Sequence, residues 1–157
     1  MVLATIACDR VTKRAAAEHL AGRPAVSLAR GAIRLAYAEN RGGFLSIGAA
    51  LPPDVRVAVF EVGPAGLLAG LGIWVFRRAL GGGWIVGPAL LWAGGVANVA
   101  DRLSRGRVVD FMNVGVGGLR TGIFNVADVA ITLGVVLVAL ELREHGPARG
   151  PDPRRER

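Results

Sequence analysis

Two aspartates draw attention because their neighbours are apolar. Asp110 sits in Val108-Val109-Asp110-Phe111, and Asp128 in Phe124-Asn125-Val126-Ala127-Asp128. An ionisable side chain in such surroundings is costly unless it has a partner or a task. Two carboxyl groups that meet at low dielectric share one proton, and their pKa values separate. The ionised member can then take a proton from water while the protonated one polarises a carbonyl. Hydrolysis of that kind needs no metal and no covalent intermediate. The stretch between the two holds Gly115, Gly117, Gly118 and Gly122, which lets it fold back. Spacing leaves a second reading open, in which each aspartate caps a helix or pairs with an arginine.

Other polar groups recur at helical spacing. Asn98, Asp101 and Arg102 stand three and four residues apart and would share one helix face. The planar fork of Arg102 suits a carboxylate or a lipid phosphate, and Gly94 and Gly95 permit close backbone approach. Asp9 and Lys13 are four apart and could pair. Asn40-Arg41-Gly42-Gly43-Phe44-Leu45-Ser46 reads as a polar, glycine-rich turn, either lining a site or simply a surface loop. His19 and His145 have no second histidine or cysteine at metal-ligand spacing, so no metal site and no cofactor is expected. No nucleophile elbow, P-loop or dinucleotide fingerprint occurs.

The elements that must hold these groups are set by composition. Apolar residues make up 52% and charged residues only 20%, which points to a bilayer rather than a water-facing surface. The net charge of +7 could suggest nucleic acid, but the arginines lie between and after apolar stretches, where lipid phosphates are the natural partner. Cys8 is the only cysteine, which excludes an internal disulfide. Three spans are expected, Val55–Phe76, Trp84–Ala100 and Ile123–Leu142. Residues 1–8 read either as the tail of a truncated first helix or as a segment only partly inserted. Residues 10–54 read as a folded segment at the membrane surface, with short strands within Val26–Tyr37. Asp101–Thr121 reads as a polar, glycine-rich connection, and residues 143–157 as a charged, disordered tail after a membrane domain of residues 1–142.

Five blocks then fall in a familiar order: Asp9-x-x-x-Lys13, Asn40-x-Gly42 with Ser46, Gly94-x-x-x-Asn98-x-x-Asp101-Arg102, Val109-Asp110-Phe111, and Phe124-Asn125-x-Ala127-Asp128. In these the chain resembles lipoprotein signal peptidase (signal peptidase II), a bacterial family of four-helix membrane aspartic peptidases. The resemblance covers roughly Asp9 to Gly134. It departs at Ala97, where the family usually has glycine, and in the short first helix, which would leave Asp9 on an unanchored segment.

The resemblance implies a mainly α, integral membrane fold, a four-helix transmembrane bundle with its first helix truncated and a small extracytoplasmic β segment before Val55. It implies Asp110 and Asp128 as the catalytic pair, with Asn40, Asn98, Asp101, Arg102, Asn125, Asp9 and Lys13 in supporting or substrate-binding roles. The implied substrate is a prolipoprotein carrying diacylglycerol, cut just before its lipidated cysteine. The implied setting is the bacterial inner membrane, multi-pass, with the site near the extracytoplasmic face, lipid as the other partner and no nucleic acid. Two rival functions follow from the same residues: an inactive relative that only binds lipidated proteins, and a small transporter in which Glu61, Asp110 and Asp128 form a proton path.

Overall fold

A computed structural model describes residues 1–42, 50–80 and 85–144. Asp9, Lys13 and Ala16 are buried and lie at helical spacing, so one face of the first segment turns inward. Helix α1 therefore does not stop at Asp9 but runs from Val2 to Leu20, 19 residues. This corrects the expectation of a short stub followed by a surface segment. The charges that suggested a boundary are partnered inside the protein, and Asp9 is anchored.

Strands β1 (Val26–Leu28) and β2 (Ile33–Asn40) follow, antiparallel to each other. Between them Ala29 and Arg30 adopt left-handed backbone, with φ of 48° and 55°. Helix α2 (Pro53–Val57) passes through a π-helical turn, Ala58–Val62, into α3 (Gly63–Leu80). Pro64 explains the widened turn, because its ring crowds the carbonyl four residues back and it has no N–H to give. Among the described residues, Pro53–Ala79 is the one helix long and apolar enough to cross a membrane by length and composition. Helix α4 (Val86–Arg105) continues past Ala100 through Asp101 and Arg102, and ends on Gly106 in the left-handed region. Helix α5 spans Val126–Glu144 and so takes in the first two residues of the expected tail. Residues 145–157, with His145, lie outside the described residues, as do Phe44, Leu45, Ser46 and Trp84.

The sheet has the order β1-β2-β3-β4. Its second half, β3 (Val108–Val116) and β4 (Leu119–Arg120), comes from the stretch expected to be a polar connection. A run of β-branched and aromatic residues from Val108 to Val116 is strand-forming, and the glycines after it make only the hairpin turn. Phe111 and Val109 pack with Ala16 into a small core that fixes the sheet on α1.

Helices α4 and α5 approach closely because glycines meet backbone. A Cβ on Gly134 would lie 2.6 Å from Leu91 N, one on Gly87 would lie 3.0 Å from Gly134 O, and one on Gly94 would overlap Ala127 O. The row Gly87, Leu91, Gly94 continues along α4 to Asn98. Small residues therefore set the depth at which Asn98 meets the start of α5.

Candidate active site

Asparagine amides link the two aspartates. Asp110, on β3, is 3% exposed, and each of its oxygens accepts a bond from an amide. Asn125 Nδ2 donates to Oδ1 at 2.6 Å, and Asn40 Nδ2 donates to Oδ2 at 3.0 Å. Asp128, half-buried in the first turn of α5, accepts Asn98 Nδ2 at 2.8 Å on Oδ1 and the Asn125 backbone N–H at 3.1 Å on Oδ2. Asn125 Nδ2 also reaches Asn98 Oδ1 at 3.3 Å. Asp110 and Asp128 thus lie on opposite sides of one amide pair, close enough for the charge of Asp128 to act on Asp110.

The orientation of each amide follows from donors that cannot reverse. Lys13 Nζ donates to Asn98 Oδ1 at 3.0 Å, which turns the Asn98 amide nitrogen toward Asp128. The Asp128 backbone N–H donates to Asn125 Oδ1 at 2.9 Å, which turns that amide nitrogen toward Asp110. The Gly42 backbone N–H donates to Asn40 Oδ1 at 3.1 Å, with the same result from the other side. An ammonium and two backbone amides thereby aim three NH₂ groups at two carboxyl groups.

Asn125 and Asp128 also form a reciprocal cap at the start of α5, each side chain bonded to the other's backbone N–H. The capping alternative is therefore true of one oxygen of Asp128. Its other oxygen looks across to α4. Asp110 forms no ion pair with an arginine among the described residues.

Beneath this layer Lys13, 2% exposed, contacts Asp9 Oδ2 and Asp101 Oδ2, both at 2.7 Å. The other oxygen of Asp9 accepts the Ala127 backbone N–H at 2.8 Å. The pairing of Asp9 with Lys13 is thus present, and it joins α1 to both α4 and α5. Asp101 shares the Lys13 ammonium with Asn98, one turn before it on α4. Arg102 keeps a buried Nε with no hydrogen-bond partner among the described residues, within the field of Asp110, Asp128, Glu61 and Asp101.

Burial raises the pKa of Asp110, and the charge of Asp128 adds to the rise, while the Asn40 and Asn125 amides and Lys13 oppose it. All nine site residues singled out in the sequence lie in or directly around this network. Sequence reasoning missed the backbone contributions of Gly42 and Ala127. The Asn-x-x-Asp spacing at 125–128 is the signal from which the cap could have been read.

Residues 1–143 match the family model described as signal peptidase (SPase) II. A lipoprotein signal peptidase of Desulforapulum autotrophicum is 34% identical over 134 residues, covering 84% of this chain and 82% of its own. One from Chlorobium phaeobacteroides is 34% identical over 144 residues, covering 86% and 83%. A bacterial membrane enzyme solved by the in meso method at 2.3 Å superposes with a TM-score of 0.77 at 23% identity, over 96% of this chain and 91% of that one, and shows the same fold. With aspartates, amides and buried lysine placed as described, and with these relatives matched over most of their length, the chain belongs to the signal peptidase II family.

Proposed function

We propose that Asp110 and Asp128 are the catalytic pair with which this chain, a membrane peptidase of the signal peptidase II family, removes signal peptides from prolipoproteins. The observation that carries the assignment is the amide bridge from Asp110 through Asn125 and Asn98 to Asp128. Asp110, the more buried of the two, has its pKa pushed upward by burial and holds the proton. Asp128, held by a backbone N–H and an amide, takes a proton from the attacking water. Asp110 then protonates the scissile carbonyl oxygen as the tetrahedral diol forms; on collapse the departing amine takes the proton gained by Asp128, and a diol hydroxyl returns one to Asp110. Arg102, partly exposed and within the field of both aspartates, bonds a carbonyl of the bound peptide through its terminal nitrogens. Asp9, Lys13 and Asp101 position Asn98.

The finer reading follows the family resemblance. The substrate carries diacylglycerol on its cysteine, the cut falls before that residue, and α1, α2 with α3, α4 and α5 form four spans in the inner membrane. The sheet and both aspartates then lie at the extracytoplasmic face, where a lipid-anchored peptide bond arrives. Relatives named as peptidases favour this reading over a binder or a proton path.

Asp110→Asn and Asp128→Asn, expressed as full-length membrane protein and assayed on a diacylglyceryl prolipoprotein, test it. Cleavage should fall by about 10² or more while insertion persists. Either variant cutting at near the native rate removes the pair from the mechanism.

A further inference from the structure

A second polar site lies at the far end of the sheet. Its walls are the Ala29–Gly31 turn, Arg34 of β2 and the end of the β3–β4 hairpin, around a cleft of about 340 Å³. Arg30, Arg34 and Arg120 line it, and none of them pairs with a carboxylate among the described residues. Arg120 is held firmly. Its Nε donates to Asn113 Oδ1, its Nη1 to Gly31 O at 2.8 Å and its Nη2 to Asn113 O at 3.3 Å. Arg34 stands opposite Asn113 in the ladder, near enough that its charge and that of Arg120 repel.

Guanidinium groups gathered without an acid are unfavourable until an anion arrives, and their planar forks match phosphate oxygens. The adjoining turn keeps two non-glycine residues, Ala29 and Arg30, in left-handed backbone, a strain that persists where the surroundings demand it. At the hairpin tip Val116 is 82% exposed and Leu119 86% exposed. A free phosphate ion would leave both in water. A phospholipid gives its phosphate to the arginines and its glycerol and acyl carbons to these two side chains.

We propose that this cleft binds the phosphate of an anionic phospholipid headgroup, with Arg34 and Arg120 as the principal ligands and Val116 and Leu119 dipping into the acyl region. Gly115, beside Arg120, is five strand residues from Asp110, roughly 17 Å, so the cleft is separate from the aspartate pair. The proposal relies on the chain being a membrane protein and not on the catalytic assignment.

Titration of phosphatidylglycerol into the full-length protein in detergent micelles, read by native mass spectrometry, tests it. Arg34→Glu should weaken binding about tenfold, since each basic residue contributes about one decade or less near an anionic surface. Arg34→Gln should weaken it about fivefold. Arg23→Glu, an equal charge change at an exposed site outside the cleft, should change it less than about twofold. Leu119→Ser should weaken phosphatidylglycerol and leave inorganic phosphate unaffected. Equal losses for Arg34→Glu and Arg23→Glu, or no loss for either Arg34 variant, overturn the site. Inorganic phosphate that displaces the lipid at matching concentration, with Leu119→Ser silent, overturns the lipid assignment in favour of a free anion.

Discussion

Asn98 stands between Lys13 and Asp128, accepting the ammonium at 3.0 Å and passing its own amide N–H to the carboxylate at 2.8 Å. Lys13 therefore acts on the proposed catalytic pair through another residue. Lys13→Met keeps the length of the side chain but removes the cation that stands between Asp9 and Asp101. Removing one partner of a buried ion pair costs about 3–5 kcal/mol. Thermal unfolding in detergent should show a marked drop, and the surviving folded enzyme should lose kcat more than KM. Lys13→Arg should not restore activity, because a guanidinium does not fit a site that is 2% exposed.

Asn125 has two duties that a pair of variants separates. Asn125→Ser keeps a side-chain acceptor for the Asp128 N–H but loses the donor to Asp110. Asn125→Ala loses both. The alanine variant should be less stable than the serine variant by about 1 kcal/mol, the usual worth of an N-cap. Cleavage should fall to a similar level in both. A serine variant with native turnover would show that the amide link to Asp110 is dispensable.

Gly94 fixes how near α5 comes to α4. Gly94→Ala places a methyl group against Ala127 O and Ile131 Cγ1, and only backbone movement relieves it. We expect about 1–3 kcal/mol of destabilisation, as for overpacked cores, with loss of activity because Asn98 and Asp128 are pushed apart. Gly95→Ala meets the flexible Leu68 side chain instead and should be milder. Melting curves of the two variants in the same detergent decide the order.

The pKa of Asp110 is raised, chiefly by burial and then by the charge of Asp128. The stability this group contributes is full below the ordinary carboxylate range and is lost as pH climbs through the raised value. Melting temperature should fall across that window, and Asp110→Asn should flatten the slope. Turnover should decline on the alkaline side as Asp110 loses its proton. Asn40→Ala removes a bond that lowers the Asp110 pKa, so the alkaline limb of its pH–rate profile should move to higher pH.

Much of the site was legible because its residues lie in local patterns. The four-residue spacing of Asp9 and Lys13, the Asn98–Arg102 face and the Asn125–Asp128 block each occupy one turn of helix. The helices holding Glu61, Asn98 and Asp128 followed from apolar runs, with ends misplaced by two to five residues, at the end of α4 because Asp101 and Arg102 turn inward. Strand β3 was not legible. Its β-branched residues favour a strand, but its partner β2 lies some 70 residues earlier, and the glycines that follow it made the stretch read as a connection. The first helix was cut at Asp9 for a related reason. Whether a charge ends a helix depends on the partner it finds, and the partners of Asp9 and Lys13 lie on α4 and α5.

The bond from the Ala127 amide to Asp9 joins residues 118 positions apart. It ties α1 to α5, so these two helices close like a clasp. During synthesis the ribosome delivers α1 early and Asp128 late. Until α5 has been made, Asp9 has no Ala127 amide to accept and Asn98 has no Asp128 to face. The seat of Asp128 against α1 and α4 is therefore assembled only after every element that precedes it in the chain has been made.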